Sequence, residues 1–182
     1  MTWQILPLPT RGPLFEGAIR VYGDAFAEPP YSDPDRGAEI RTRVQEVHCV
    51  RRGFHAYAAV EPPDQVIGMI YGYHGAPGQW WHDTVVRAIG PRTAAEWLAD
   101  SYELVEVAVE PKHQGEGVGS ALIRQLLDGR TERTCVLSTR TDSEAHYLYR
   151  RLGFEVITEM TFAVRGAPFY VMGKRLRAEW RE

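Results

Sequence analysis

The sequence predicts a mixed α/β fold, a central sheet flanked by helices, in one domain spanning 1–182. Three observations carry this. The chain has 182 residues and 44% hydrophobic content, enough to bury one sizeable core. Apolar runs of strand length alternate with stretches whose apolar residues recur every three or four positions. Gly and Pro clusters separate these stretches, without internal repeats or low-complexity segments.

In chain order, residues 3–8 (WQILPL) predict a short strand ended by Pro7 and Pro9. Residues 13–27 predict a helix, with Leu14, Ala18, Val21, Tyr22, Ala25 and Phe26 on one face and Pro13 at its start. The segment EPPYSDP breaks it. A second helix is expected over 34–51, with Ile40, Val44, Val47 and Val50 in register and Gly53 closing it. The apolar runs 54–61 and 66–73, separated by PPDQ, predict a hairpin. Residues 74–101 form an insertion: a Gly/Pro turn, two Trp, then a short helix over 93–99. An insertion of this length is expected to carry function or to move. A strand over 104–109 leads through PKHQGEGVGS into a helix over 117–127. A strand at 135–139, a helix at 144–152 capped by Gly153, and closing strands at 154–160 and 170–176 complete the chain.

Composition narrows function. Charged residues make up 25% and the net charge is -3, which argues against a nucleic-acid binder. Arg124, Arg130, Arg133, Arg140, Arg150 and Arg151 crowd the second half, where a polyanionic cofactor could use them. Cys49 and Cys135 sit among apolar neighbours and read as buried thiols. No Cys/His spacing suggests a metal site. The first residues lack a signal-peptide pattern, and no apolar run is long enough to span a bilayer, so a soluble cytoplasmic protein without membrane contact is expected.

The most informative segment runs strand, turn, glycine-rich loop, helix: Val107, Ala108, Val109, then Pro111, then Gln114, Gly115, Glu116, Gly117, Val118, Gly119 and Ser120. Glycines at alternate positions let backbone approach a ligand closely. The free N–H groups and positive dipole end of the following helix favour a phosphate or pyrophosphate. The spacing G-x-G-x-G fits a dinucleotide fingerprint poorly, and no lysine stands where a P-loop requires one.

At these residues the sequence resembles the GNAT superfamily of acyl-CoA-dependent N-acyltransferases, whose pyrophosphate loop reads Gln/Arg-x-x-Gly-x-Gly/Ala. A second match lies downstream, where Ala145, Leu148, Tyr149, Gly153 and Phe154 fit the family's Ala-x-x-Leu-Tyr-x-x-x-Gly-Phe helix. The resemblance covers roughly 102–160. It implies a mixed, mostly antiparallel central sheet flanked by helices, and acetyl-CoA as cofactor without a metal. It also implies that loop amides over 114–120 hold the pyrophosphate and that strand residues 107–109 pair with the pantetheine amides. Where relatives often carry an Asn against pantetheine, this chain has Asp142, which when ionised accepts but does not donate.

The resemblance further implies direct attack of a neutral amine on the thioester. An alkyl amine has a pKa near about 10.4, so a base must remove its proton. Glu106, on the strand before the loop, is the first candidate, with Glu103 in reserve; Glu106 and Ala108 share one strand face, and Val105, Val107 and Val109 the other. Tyr149 is the candidate general acid for the leaving sulfur. His113 reads as a solvated turn residue that could touch phosphate, and His146 as an exposed helix residue. In relatives the acceptor enters from the side of the early helices and the insertion, which here implies Pro29, Pro30, Tyr31, Trp80, Trp81 and His82, with aromatic faces for a cationic amine. The Trp pair serves equally as packed core or as a homodimer contact. The leading expectation is an N-acetyltransferase acting on a small-molecule amine; the alternatives are a protein or peptide N-acetyltransferase and a CoA-binding module without transfer activity.

Overall fold

The computed structural model describes residues 2–177. Its strands are β1 (Gln4–Pro7), β2 (His55–Glu61), β3 (Gln65–His74), β4 (Ser101–Val109), β5 (Thr134–Arg140), β6 (Glu155–Thr161) and β7 (Pro168–Arg175). They join in the order β1-β2-β3-β4-β5-β7-β6. The pairs β1–β2, β2–β3, β5–β7 and β6–β7 are antiparallel and β4–β5 is parallel. The helices are α1 (Pro13–Ala27), α2 (Arg36–Arg43), α3 (Trp80–Trp97), α4 (Val118–Leu127) and α5 (Ala145–Arg151). This is the mixed, mostly antiparallel sheet with flanking helices that the sequence predicts. The chain falls into two compact units, one formed by the residues up to Tyr73 with Leu104–Asp128, the other by His74–Glu103 with the described residues from Gly129 onward.

In the first unit β3 is buried along nearly its whole length, as its continuous apolar sequence requires. A Cβ added at Gly68 would meet Val118 and Leu122 of α4 at 3.0 Å each, so this glycine sets how closely α4 lies on the sheet. Helix α1 starts at Pro13, whose missing N–H costs nothing at that position, and buries Phe15, Ala18, Ile19, Val21, Tyr22 and Phe26. It stops where Glu28 turns extended before Pro29. The expected 34–51 helix divides into α2 and a π-helical turn, Val44–His48, closed by the Cys49 N–H donating to the Val44 carbonyl at 3.0 Å. Helices α1 and α2 meet where a Cβ built on Gly37 would lie 3.4 Å from the Gly23 Cα. That backbone contact brings Tyr22 and Arg36, the residues preceding each glycine, within reach of each other.

In the second unit the insertion differs from expectation. It holds two helical stretches, 80–89 and 91–97, grouped here as α3 and separated by a non-helical Gly90 (φ 79, ψ 169) before Pro91. The short helix expected over 93–99 corresponds to the second stretch; the first, which begins at the paired Trp80 and Trp81, was hidden by the Gly/Pro turn just before it. Val85 and Trp97 are buried beside Leu98, Val136 and Val171, so the insertion builds this unit's core. The β4–β5 pairing covers Ser101↔Thr134, Tyr102↔Cys135 and Glu103↔Val136. Strand β4 therefore starts before the expected 104. Cys135 is buried, whereas Cys49, expected to be, is only half-buried; neither is in a disulfide. Among the described residues no helix is long and apolar enough to cross a membrane.

The α1–α2 contact sets an expectation. Gly37→Ala places a methyl at ordinary contact distance and should leave stability within about 1 kcal/mol. Gly37→Leu overfills the contact and should cost about 1–3 kcal/mol in urea denaturation. Equal stability of the two variants would show that the helices do not depend on this close approach.

Candidate active site

Strand alternation turns Glu106 away from Val105 and Val107 and toward α1 and α2. Its side chain is 11% exposed, and Arg36 Nη2 lies 3.8 Å from Oε1. The same guanidinium donates from Nε to the Tyr22 hydroxyl at 2.8 Å, and that hydroxyl in turn donates to the Glu106 carboxylate. Arg36 Cζ stacks 4.3 Å from the Phe26 ring centroid and 5.1 Å from that of Tyr31. Burial pushes the Glu106 carboxyl above its ordinary range, opposed by the Arg36 charge, the Tyr22 hydrogen bond and the more distant Arg43. Burial, helped by the Glu106 charge, raises the Tyr22 phenol, which stays protonated.

Behind this group stands Tyr71 of β3, fully buried, its phenol pushed up by burial and by Glu106. The π-helical turn brings His48 to Tyr71, with Nδ1 and the hydroxyl 2.9 Å apart. Burial, with Arg51 and Arg43 nearby, holds His48 down to about 3, so the ring is neutral at physiological pH. Arg51 donates to the Tyr73 hydroxyl at 2.5 Å and stacks on its ring. The result is a layered network in which the Glu106 carboxylate is surrounded by neutral phenols and arginines.

The glycine loop lies in the same unit. Gly115 and Gly117 take φ of +83 and +85, and a Cβ at either would meet nothing within 4 Å, which leaves an open cradle of backbone. Gly117 is the N-cap of α4 and no side chain caps the helix, so its first N–H groups face the loop, a setting that favours an anion. Val118 is buried and anchors the helix start, while 114–117 are exposed. Glu116 would repel a phosphate, but its carboxylate meets His113 Nδ1 at 3.0 Å. His113, expected to be solvated, is buried, with Nε2 3.6 Å from both Glu61 and Glu110. Gln114 folds back, its amide donating to the Val109 carbonyl at 3.2 Å. Val107, Ala108 and Val109 lie past the last β4 residue paired with β5. Among the described residues no group of three or more His, Cys, Asp or Glu side chains is placed to hold a metal ion.

The second unit holds the other residues singled out by sequence. Asp142 accepts from Arg140 Nε at 2.9 Å and from Nη2 at 2.7 Å, which keeps its carboxyl below the ordinary range. Tyr149 is buried on α5, its ring centroid 5.9 Å from that of Phe154. Trp81 donates from Nε1 to Ser138 Oγ at 3.0 Å and packs on this unit's core, while Trp80 is exposed and leans on Phe162. His82 is buried. His146, expected to be exposed, is half-buried between the Tyr147 and Tyr170 rings. Glu103 is buried, and alternation puts it on the face opposite Glu106. Tyr31 belongs to the first unit, and the cation over its ring is this chain's own Arg36.

Sequence reasoning did not single out Tyr22, Arg36, Tyr71 or His48 as part of the site. One signal was available: an arginine in a helix that also buries Ile40, beside a glycine, needs a partner for its charge.

Comparison with known proteins agrees with this geometry. A family model for the acetyltransferase (GNAT) domain matches residues 52–156. A GCN5-like protein acetyltransferase of Mycobacterium tuberculosis is 39% identical, covering 87% of this chain and 90% of that protein. A crystal structure described as histone acetyltransferase HPA2 and related acetyltransferase, from Corynebacterium glutamicum, superposes with a TM-score of 0.70 at 22% identity, over 99% of both chains. A chain of the NatC complex, solved with Gag peptide and CoA, shares the fold with a TM-score of 0.65 at 18% identity, over 97% of this chain and 100% of that one. The chain belongs to the GNAT acetyltransferase family and is an acyltransferase.

Proposed function

We propose that this chain transfers an acetyl group from acetyl-CoA to a primary amine, with residues 114–120 holding the pyrophosphate and Glu106 taking the proton of the acceptor's ammonium group. The observation that carries this reading is the setting of Glu106: a nearly buried carboxylate, raised in proton affinity, in the same unit as an uncapped glycine cradle. The two units then form one acetyltransferase domain, since the stretch matched by the family includes residues of both.

Bound acetyl-CoA supplies the acyl group and a thiol leaving group. The chain's own residues do the rest. Loop amides from Gly115 to Ser120 and the α4 dipole bind the pyrophosphate. The backbone of Val107 and Val109, with Ala108 between them, orients the pantetheine arm, and the ionised Asp142 can accept one of its amide N–H groups. Glu106 accepts a proton from the ammonium group, freeing the nitrogen lone pair. A carboxylate of raised proton affinity does this better than an ordinary one. The nitrogen–acyl bond forms, the acyl–sulfur bond breaks and Tyr149 gives the sulfur its proton; the second proton that leaves the nitrogen as the amide forms restores the Tyr149 phenol, and the Glu106 proton passes to solvent.

For the acceptor, a small-molecule amine and a protein amine are both carried by observations. Tyr22 and Arg36 stand directly beside Glu106, a setting that favours a slim alkylammonium. A lysine arm is as narrow as a small amine, and the Mycobacterium tuberculosis relative is named a protein acetyltransferase. Trp80, an exposed aromatic of the second unit, is the proposed contact for the body of the acceptor, with Trp81 supporting it; Tyr31 acts in the first unit, through Arg36. Release of free thiol from acetyl-CoA, followed across a panel of small amines and lysine-containing peptides, separates the two. Turnover with no member of either class would leave only a CoA-binding module.

The cofactor placement has its own test. Gly117→Val strains a left-handed position and fills the cradle, so affinity for acetyl-CoA should fall by about tenfold or more in titration calorimetry, roughly the effect of losing one good interaction. Affinity for S-acetylpantetheine, which lacks the pyrophosphate, should hold. A parallel loss for both ligands would move the pyrophosphate elsewhere.

The proton roles are read from pH profiles. With an ionised base and a protonated amine as reactants, the acidic limb of kcat/KM belongs to Glu106 and the alkaline limb to the acceptor. Glu106→Gln should lower kcat/KM by about 10²–10⁴-fold and abolish the acidic limb. Tyr149→Phe should lower kcat within the same rough range while leaving CoA affinity intact. An unchanged acidic limb in Glu106→Gln, with Glu103→Gln losing it, would reassign the base.

A further inference from the structure

We propose that Arg36 is the positioning residue that favours the ionised form of the Glu106 carboxyl and fixes it in place, rather than part of the acceptor's binding surface. The inference rests on the reading of Glu106 as the base.

A carboxylate withdrawn from water tends to take up a proton and become useless as a base. The charged and titratable groups facing Glu106 are Tyr22 from α1, Arg36 and Arg43 from α2, and Tyr71 from β3. Both phenols are held protonated by burial, so they contribute hydrogen bonding and no charge. Arg43 is half-exposed and lies 3.8 Å from Glu39, so solvent and a second carboxylate weaken its field at Glu106. Arg36 differs in every respect. Its side chain is 29% exposed and its only ion pair among the described residues is with Glu106. Its plane is fixed by the Phe26 and Tyr31 rings and by the Nε bond to Tyr22. The Gly23–Gly37 contact sets the helix spacing on which that bond depends. The geometry therefore joins one charge to one carboxylate through a shared hydroxyl. It also fills the aromatic faces that a cationic acceptor would otherwise take, so the acceptor's ammonium group is left to meet the carboxylate itself.

Arg36→Met removes the charge and keeps most of the packing volume. The acidic limb of kcat/KM should then move upward by about one to three pH units, the usual effect of losing an adjacent opposite charge on a carboxyl. Activity should fall at pH 7 and recover toward wild type near pH 9, with acetyl-CoA affinity unchanged on the same preparation. A merely structural role would lower activity at every pH alike. Arg36→Lys keeps a charge without the planar stacking or the Nε bond and should shift the limb less; it carries the test if Arg36→Met loses CoA binding through misfolding. A limb that coincides with wild type in a folded Arg36 variant would overturn the proposal. Persistence of the acidic limb in Glu106→Gln would instead overturn the assignment of the base, and this inference with it.

Discussion

A carboxylate on a central strand with 11% of its side chain exposed has lost most of its hydration, and the loss must be offset by charge and hydrogen bonds or the group takes up a proton. Much of the first unit can be understood as the offset. Tyr22 lies on the buried face of α1, and α2 approaches closely enough, through two facing glycines, for Arg36 to reach the same hydroxyl and the same carboxylate. The opposing influences of burial and Arg36 leave a carboxyl whose proton affinity is raised above the ordinary glutamate range. That balance suits a group that must accept a proton and then release it to solvent.

The same unit meets a second electrostatic demand. A glycine cradle that begins a helix attracts anions, yet its sequence includes Glu116. The buried His113 draws that carboxylate aside, with Glu61 and Glu110 close to its other nitrogen. Both cases follow one rule: a carboxylate close to function is held by a partner brought from another part of the chain or from the next turn, and the partner determines whether the carboxylate helps or repels.

What the sequence made legible was local. Gly115, Gly117 and the amphipathic helix after them are read from neighbouring residues, and strand alternation places Glu106 on one face without knowledge of the partner. The hairpin of β2 and β3, α1, α4, α5 and the closing strands lie within a few residues of expectation for the same reason. The network around Glu106 was not legible, because Tyr22, Arg36 and Tyr71 come from three separate elements and meet only after the sheet and helices pack. His48 was hidden by the π-helical turn, which changes its facing by one residue. The first stretch of α3 was missed because a Gly/Pro turn leads directly into its Trp pair and Gly90 and Pro91 separate it from the expected helix. Trp81 packs against the second unit's core, one of the alternatives that the sequence left open for the Trp pair, and His82 is buried.

The protonation state of Glu106 is the point on which the chemistry turns, and it can be observed without any acceptor. Carboxyl ¹³C NMR of glutamate-labelled protein, with Glu106→Gln used to assign the resonance, follows that one group through pH. The structure predicts a resonance that titrates above the ordinary glutamate range, and the proposed role as base requires it to be ionised at pH 7. A Glu106 resonance still protonated at pH 7, or one titrating at the ordinary value as a solvated surface carboxyl does, would contradict the account.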